Sequence, residues 1–148
     1  MGTKMKNYKD LIKIKSIGDR YNYLRLGGRV GSETFGIERY LNQVFYHSKE
    51  YQLLREDCII RDSDGDNVLE LGCPGFPING HVYLHHIVPL TINDITNKTD
   101  LLLDPNNVIC CSKSMHDAIH YGDDQYVQSL LYSPRRPNDT SPWRRKGA

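Results

Sequence analysis

At 148 residues the chain is long enough for one domain with a modest hydrophobic core. Lys and Arg number 19 against 18 Asp and Glu, a net charge of +1, which excludes the overall basic excess of a protein that coats nucleic acid; any DNA contact has to be local. Apolar runs such as LLL and VICC are too short to span a bilayer, and the polar start MGTKMKNYKD has no signal-peptide core, so the expectation is a cytoplasmic protein with no membrane partner.

Residues 1–55 read as helical. Leu11, Ile12, Ile14, Ile17, Tyr21 and Leu24 recur at near-helical spacing, predicting a helix from about Lys9 to Leu26 that stops at Gly27-Gly28. A second helix is expected from Gly36, with Ile37, Tyr40, Leu41, Val44 and Phe45 as its apolar stripe, and Ser48 can cap a further turn or two holding Tyr51 and Leu54. From Asp57 the pattern shortens: CIIRD and NVLELG flank the turn residues DSDGD and read as a hairpin. A calcium loop would need Gly at its sixth position and Glu at its twelfth, and Gly65 arrives too early, so DSDGD reads as a solvated turn. After GCPGFPING the order is a strand in HVYLHHIVPL, a polar loop from Thr91 to Asp100, a strand around VICCS and a short helix around KSMHDAIH. Cys58, Cys73, Cys110 and Cys111 include no C-x-x-C pair and read as buried thiols of a reducing compartment.

Five of the six histidines, His81, His85, His86, His116 and His120, fall in this last unit. His116 and His120, four apart in HDAIH, share one helix face within reach of a single ion. Consecutive strand residues face opposite ways, so if His85 joins that ion, His86 points elsewhere. A metal-bound imidazole nitrogen cannot also take a proton, whereas a free imidazole can, so one ligand and one base form a coherent pair. A strand facing the other way would exchange the two roles.

His-His, an Asn in a loop and His-x-x-x-His on a helix, here HHIVPL, DPNNVICC and MHDAIH, together resemble the HNH, or ββα-metal (His-Me finger), endonucleases. The spacing is similar too, with Asn107 nine residues before His116. The resemblance implies an α+β fold in a single nuclease domain: a helical lead-in over 1–55, a ββα-metal core with its preceding hairpin over 56–122, and an extended basic tail over 123–148. It implies that His85, His116 and His120 hold one divalent ion (Mg, Mn, Ni or Zn), that His86 is the general base and that Asn107, rather than Asn106, orients it. The implied activity is hydrolysis of DNA phosphodiester bonds, nicking or cutting double strands with low sequence specificity and leaving 5′-phosphate and 3′-hydroxyl ends. YNYLRLGGRVGSETFG, RYLNQVFY, AIHYGDD and PRRPNDTSPW look like a group of small phage-encoded HNH proteins. That likeness implies action in the host cytoplasm during DNA packaging or processing, with terminase or portal as partners.

One departure is visible. Many HNH proteins bind a structural zinc through two C-x-x-C pairs, the second just before the helix histidine, and this chain has Ser112 and Met115 there. A hydroxyl and a thioether do not replace thiolates at zinc. Adjacent Cys110 and Cys111 diverge on a strand and read as core residues. DNA grip is expected from the local clusters Arg135-Arg136 and Arg144-Arg145-Lys146 around Trp143. The alternative from another class is a non-catalytic, metal-stabilised DNA- or protein-binding module that uses the same histidines but has no use for an unligated His86.

Overall fold

The computed structural model describes residues 5–26, 44–122 and 124–132. The predicted helix from Gly36, the Gly27-Gly28 stop and the basic residues Arg135, Arg136, Arg144, Arg145 and Lys146 lie outside the described residues.

The first segment forms two helices instead of one: α1 (Tyr8–Leu11) and α2 (Ile17–Leu24). Ser16 separates them, its hydroxyl accepting from the Asp19 N–H at 3.0 Å to start α2. The Arg20 guanidinium then folds back onto the carbonyls of Ile14 (2.7 Å), Ile12 (3.2 Å) and Leu71 (2.7 Å). An unbroken helix would have consumed the first two of these acceptors internally; here they satisfy a buried cation.

Phe45–His47 make one 3-10 turn, and α3 (Lys49–Arg61) follows, capped as expected by Ser48. It runs through CIIRD, which the sequence assigns to a strand. Tyr51, Leu54 and Cys58 pack one face of α3 into the core while Ile60 stays 75% exposed, a helical and not an alternating burial pattern. The end of α3 is tied down by Arg61, whose guanidinium donates to the carbonyls of Pro105 and Val108 at 2.7 and 2.6 Å and lies 3.6 Å over the Tyr8 ring. Asp62, buried next to it, accepts the Cys110 N–H at 3.1 Å. The predicted hairpin therefore shrinks to a single bridge between Ser63 and Val68, closed by the Asp64 carboxylate accepting from the N–H groups of Asp66 and Asn67. Residues 64–66 form the exposed turn expected of DSDGD, whereas its first residue, Asp62, is buried.

The two strands are β1 (Tyr83–His86) and β2 (Val108–Cys111), antiparallel, with His85 opposite Ile109 and His86 opposite Val108. The loop between them contains a helix the sequence reading omitted, α4 (Ile92–Thr96), started by a reciprocal capping box between Thr91 and Asp94. Helix α5 (Lys113–Tyr121) follows β2 directly, with Ser112 as N-cap and Gly122 in the left-handed C-terminal position at φ 80°. The first part of the expected extended tail is a further helix, α6 (Gln125–Tyr132), which buries Val127 among residues of α2 and α5.

Among the described residues the fold is thus mixed helix and strand, with six α-helices and a two-stranded antiparallel sheet. Side-chain alternation splits the core. Ile109 and Cys111 pack with Met115, Ala118 and Ile119 of α5 and with α1, α2 and α6. Leu84, Val108 and Cys110 pack on the other side with α3 and Leu102. The two adjacent cysteines diverge as expected of a strand. None of the described helices is long and apolar enough to cross a membrane.

Candidate metal centre

His85 lies on the face of β1 that α5 covers. Its ring centroid stands 5.1 Å from His120 and 5.9 Å from His116, and the two helix rings are 4.3 Å apart, one turn along α5. One nitrogen from each of the three comes within 4.8 Å of the others. Tetrahedral ligands at zinc-like bond lengths stand about 3.4 Å apart, a spacing inside that limit. The strongest sign that these residues fit a metal is His85 itself. It is 1% exposed, and neither ring nitrogen has a hydrogen-bond partner. A buried polar atom left in that state costs about 1–3 kcal/mol, a cost that ligation would remove.

The protonation states suit ligation. Burial, then the neighbouring imidazoles His120 and His116, hold His85 well below the usual histidine range. Burial, with His120 next, pushes His116 down to about 4, and burial lowers His120. Stacking three bases in a low-dielectric pocket disfavours their charged forms, leaving the neutral imidazoles that bind metal.

His86 points the other way. Its Nε2 lies 3.1 Å from the Leu102 carbonyl oxygen, which can only accept, so the proton sits on Nε2 and Nδ1 carries the basic lone pair. Burial lowers its pKa, while the Leu102 bond and the Asp94 carboxylate raise it. Only 9% of the residue is exposed.

Asn107 bonds the backbone around His86 and not its ring. Its Oδ1 accepts the Val88 N–H at 2.7 Å, and its Nδ2 donates to the carbonyls of Leu101 (3.1 Å) and Val88 (3.3 Å). The Asn107 carbonyl also accepts the Ile87 N–H at 2.7 Å. Asn107 thereby clamps the chain just after His86 to the residue before Leu102, fixing the His86 ring and its acceptor together. The cluster that could hold a metal comprises His85, His116 and His120, and Asn107 is not part of it. Asn106 is engaged elsewhere, accepting the Lys9 N–H at 3.1 Å.

The helix that carries His116 and His120 is braced by a residue with no sequence signal, Glu70. Buried at 1% exposure, its carboxylate accepts the Ser112 N–H at 2.6 Å, the Ser112 hydroxyl at 2.7 Å and the Tyr126 hydroxyl at 2.5 Å. A carboxylate at the N-terminus of α5 also suits the helix dipole. Ser112 and Met115 thus serve as cap and core. Burial raises the thiols of Cys110 and Cys111, and neither residue belongs to the histidine cluster.

The sequence reading also assigned nothing to His81, which sits edge-on to Tyr83 at 5.0 Å, while Tyr83 in turn lies 5.8 Å from His116. Tyr83 and His85 alternate onto one face of β1, and His81 lies just before the strand. No family model matches the chain, and no curated protein or solved structure matches it either.

Proposed function

We propose that the chain is a metal-dependent endonuclease of the HNH, ββα-metal type that hydrolyses DNA phosphodiester bonds. The supporting observation is the pairing in β1 of a buried, unpartnered His85 with an oppositely directed His86 whose Nε2 meets a carbonyl. His85, His116 and His120 are the residues to hold one divalent ion, Mg, Mn, Ni or Zn. An ion held there would supply Lewis-acid stabilisation of the charge that develops as the phosphodiester breaks.

The chain's own contribution is the nucleophile. Nδ1 of His86 takes a proton from the attacking water. The imidazolium that results is stabilised by its Nε2–H bond to Leu102 and by the Asp94 carboxylate. Base catalysis of this kind is worth roughly a hundred- to ten-thousand-fold. Asn107 holds the two backbone segments that set the ring's angle. Grip on the DNA backbone from Arg135, Arg136, Arg144, Arg145 and Lys146, and a place in phage DNA packaging beside terminase or portal, rest on the sequence and the resemblance.

The competing reading is a metal-stabilised binding module. It calls for a closed, four-ligand site, and among the described residues the cluster has three members. Incubation of plasmid DNA with the protein and Mg²⁺ or Mn²⁺ decides between them: nicking or linearisation that chelator stops supports the nuclease. Metal binding with intact plasmid under every divalent ion supports the module.

A further inference from the structure

A cavity of about 290 Å³ opens directly beside the histidine cluster, and His116 forms part of its wall. Tyr83, from the same face of β1 as His85, lines it together with His81 just before the strand and with Tyr46, Tyr51 and Arg55. The walls are prepacked. Tyr46 and Tyr51 stand 4.7 Å apart, Tyr51 meets Phe45 edge-on at 5.1 Å, and Tyr83 is held between His81 and His116. Arg55 is fixed as well, donating through Nη1 to the Val82 carbonyl at 2.6 Å, and a guanidinium has five N–H donors in all.

Aromatic rings, one guanidinium and two imidazoles lining one space, with His116 itself a candidate metal ligand, form a chemically specific combination. The volume sits at the bottom of the roughly 300–1,000 Å³ range of small-ligand sites, which suits a single nucleotide. A base inside an intact duplex has both faces stacked and cannot use aromatic walls, whereas an unpaired base can. A phosphate accompanying that base would meet Arg55 and His81.

We propose that this cavity is a subsite for one unpaired nucleotide next to the scissile phosphate, which makes single-stranded or locally unpaired DNA the preferred substrate. The base stacks on Tyr83 and Tyr46, and Arg55 with His81 takes the adjoining phosphate. The subsite deepens the nuclease reading and rests on it for the identity of the substrate, but not for the binding itself.

The test uses the full chain and two readouts. In chelator, fluorescence anisotropy compares a short labelled single strand with the same sequence as duplex. With Mn²⁺, cleavage is followed on the duplex and on a version carrying an unpaired bubble. The wild type is expected to bind the single strand about tenfold more tightly than the duplex and to cut the bubble faster. Tyr83→Leu is expected to weaken single-strand binding between about fivefold and a hundredfold, the span of one base–aromatic stack, and His81→Ala to weaken it by loss of the phosphate contact. His81 is exposed, so its replacement leaves the fold intact and keeps the test decisive. Equal binding of single strand and duplex, or unchanged binding by both variants, overturns the subsite even if the wild type cuts plasmid. Selective, Tyr83- and His81-dependent binding without any cleavage upholds the subsite and removes the nuclease reading.

Discussion

His85 and His86 are chain neighbours whose imidazoles serve opposite sides of one strand: the first stands 5.1 Å from the His120 ring, the second puts Nε2 3.1 Å from the Leu102 carbonyl. Four expectations follow from that division and from what supports it.

Acid should loosen the metal-free protein through the cluster. The folded-state pKa of His116 lies at about 4 against 6.5 for an ordinary histidine, and those of His85 and His120 are also lowered. Below about pH 6.5 the unfolded chain binds protons that the folded chain refuses, so stability is full above that pH and is lost as pH falls toward about 4. His116 carries part of this loss, shared with the neighbouring His120 that helps to lower it. Urea unfolding in chelator at a series of pH values should show the decline, with a shallower slope in His116→Ala. Equal slopes would remove the cluster as the cause.

Glu70→Ala should cost about 3 kcal/mol, because the N–H and hydroxyl of Ser112 and the hydroxyl of Tyr126 lose a buried charged acceptor. Tyr126→Phe removes one of those bonds and should cost about 1.5 kcal/mol. Chemical denaturation measures both. A Glu70→Ala protein as stable as wild type would mean that the brace under α5 contributes nothing.

Much of this site was legible in the sequence because it depends on period and spacing. HDAIH on a helix and two histidines on a strand bring three rings together through geometry that holds for any helix and strand. What escaped depends on the tertiary fold. CIIRD is a short apolar run that suits either element, and its burial against β2 decides for helix. The break at Ser16 is fixed by Arg20 seeking carbonyls that include Leu71, far away in the chain. The acceptor of His86 is a backbone carbonyl, which carries no side-chain signature at all. By contrast, α4 had a readable start in Thr91 and Asp94 at capping-box spacing, and α6 had its apolar positions at Tyr126, Val127 and Leu130; both were masked by polar neighbours.

Asn107→Ala should lower kcat by about tenfold to a hundredfold, the usual cost of losing a group that orients a catalytic side chain, with metal affinity within a few-fold of wild type. The amide touches Val88 and Leu101 and none of the three cluster histidines. Single-turnover cleavage with a parallel metal titration checks this. A fall in metal affinity with unchanged kcat would place Asn107 with the ligands instead.

The division of labour between His85 and His86 is tested most directly by measuring divalent-metal affinity and plasmid cleavage side by side in His86→Ala and His116→Ala. The account predicts that His86→Ala binds metal within a few-fold of wild type yet cuts roughly a hundred- to ten-thousand-fold more slowly, while His116→Ala loses metal affinity and cleavage together. Full cleavage by His86→Ala, or a loss of metal in that variant as large as in His116→Ala, would contradict it.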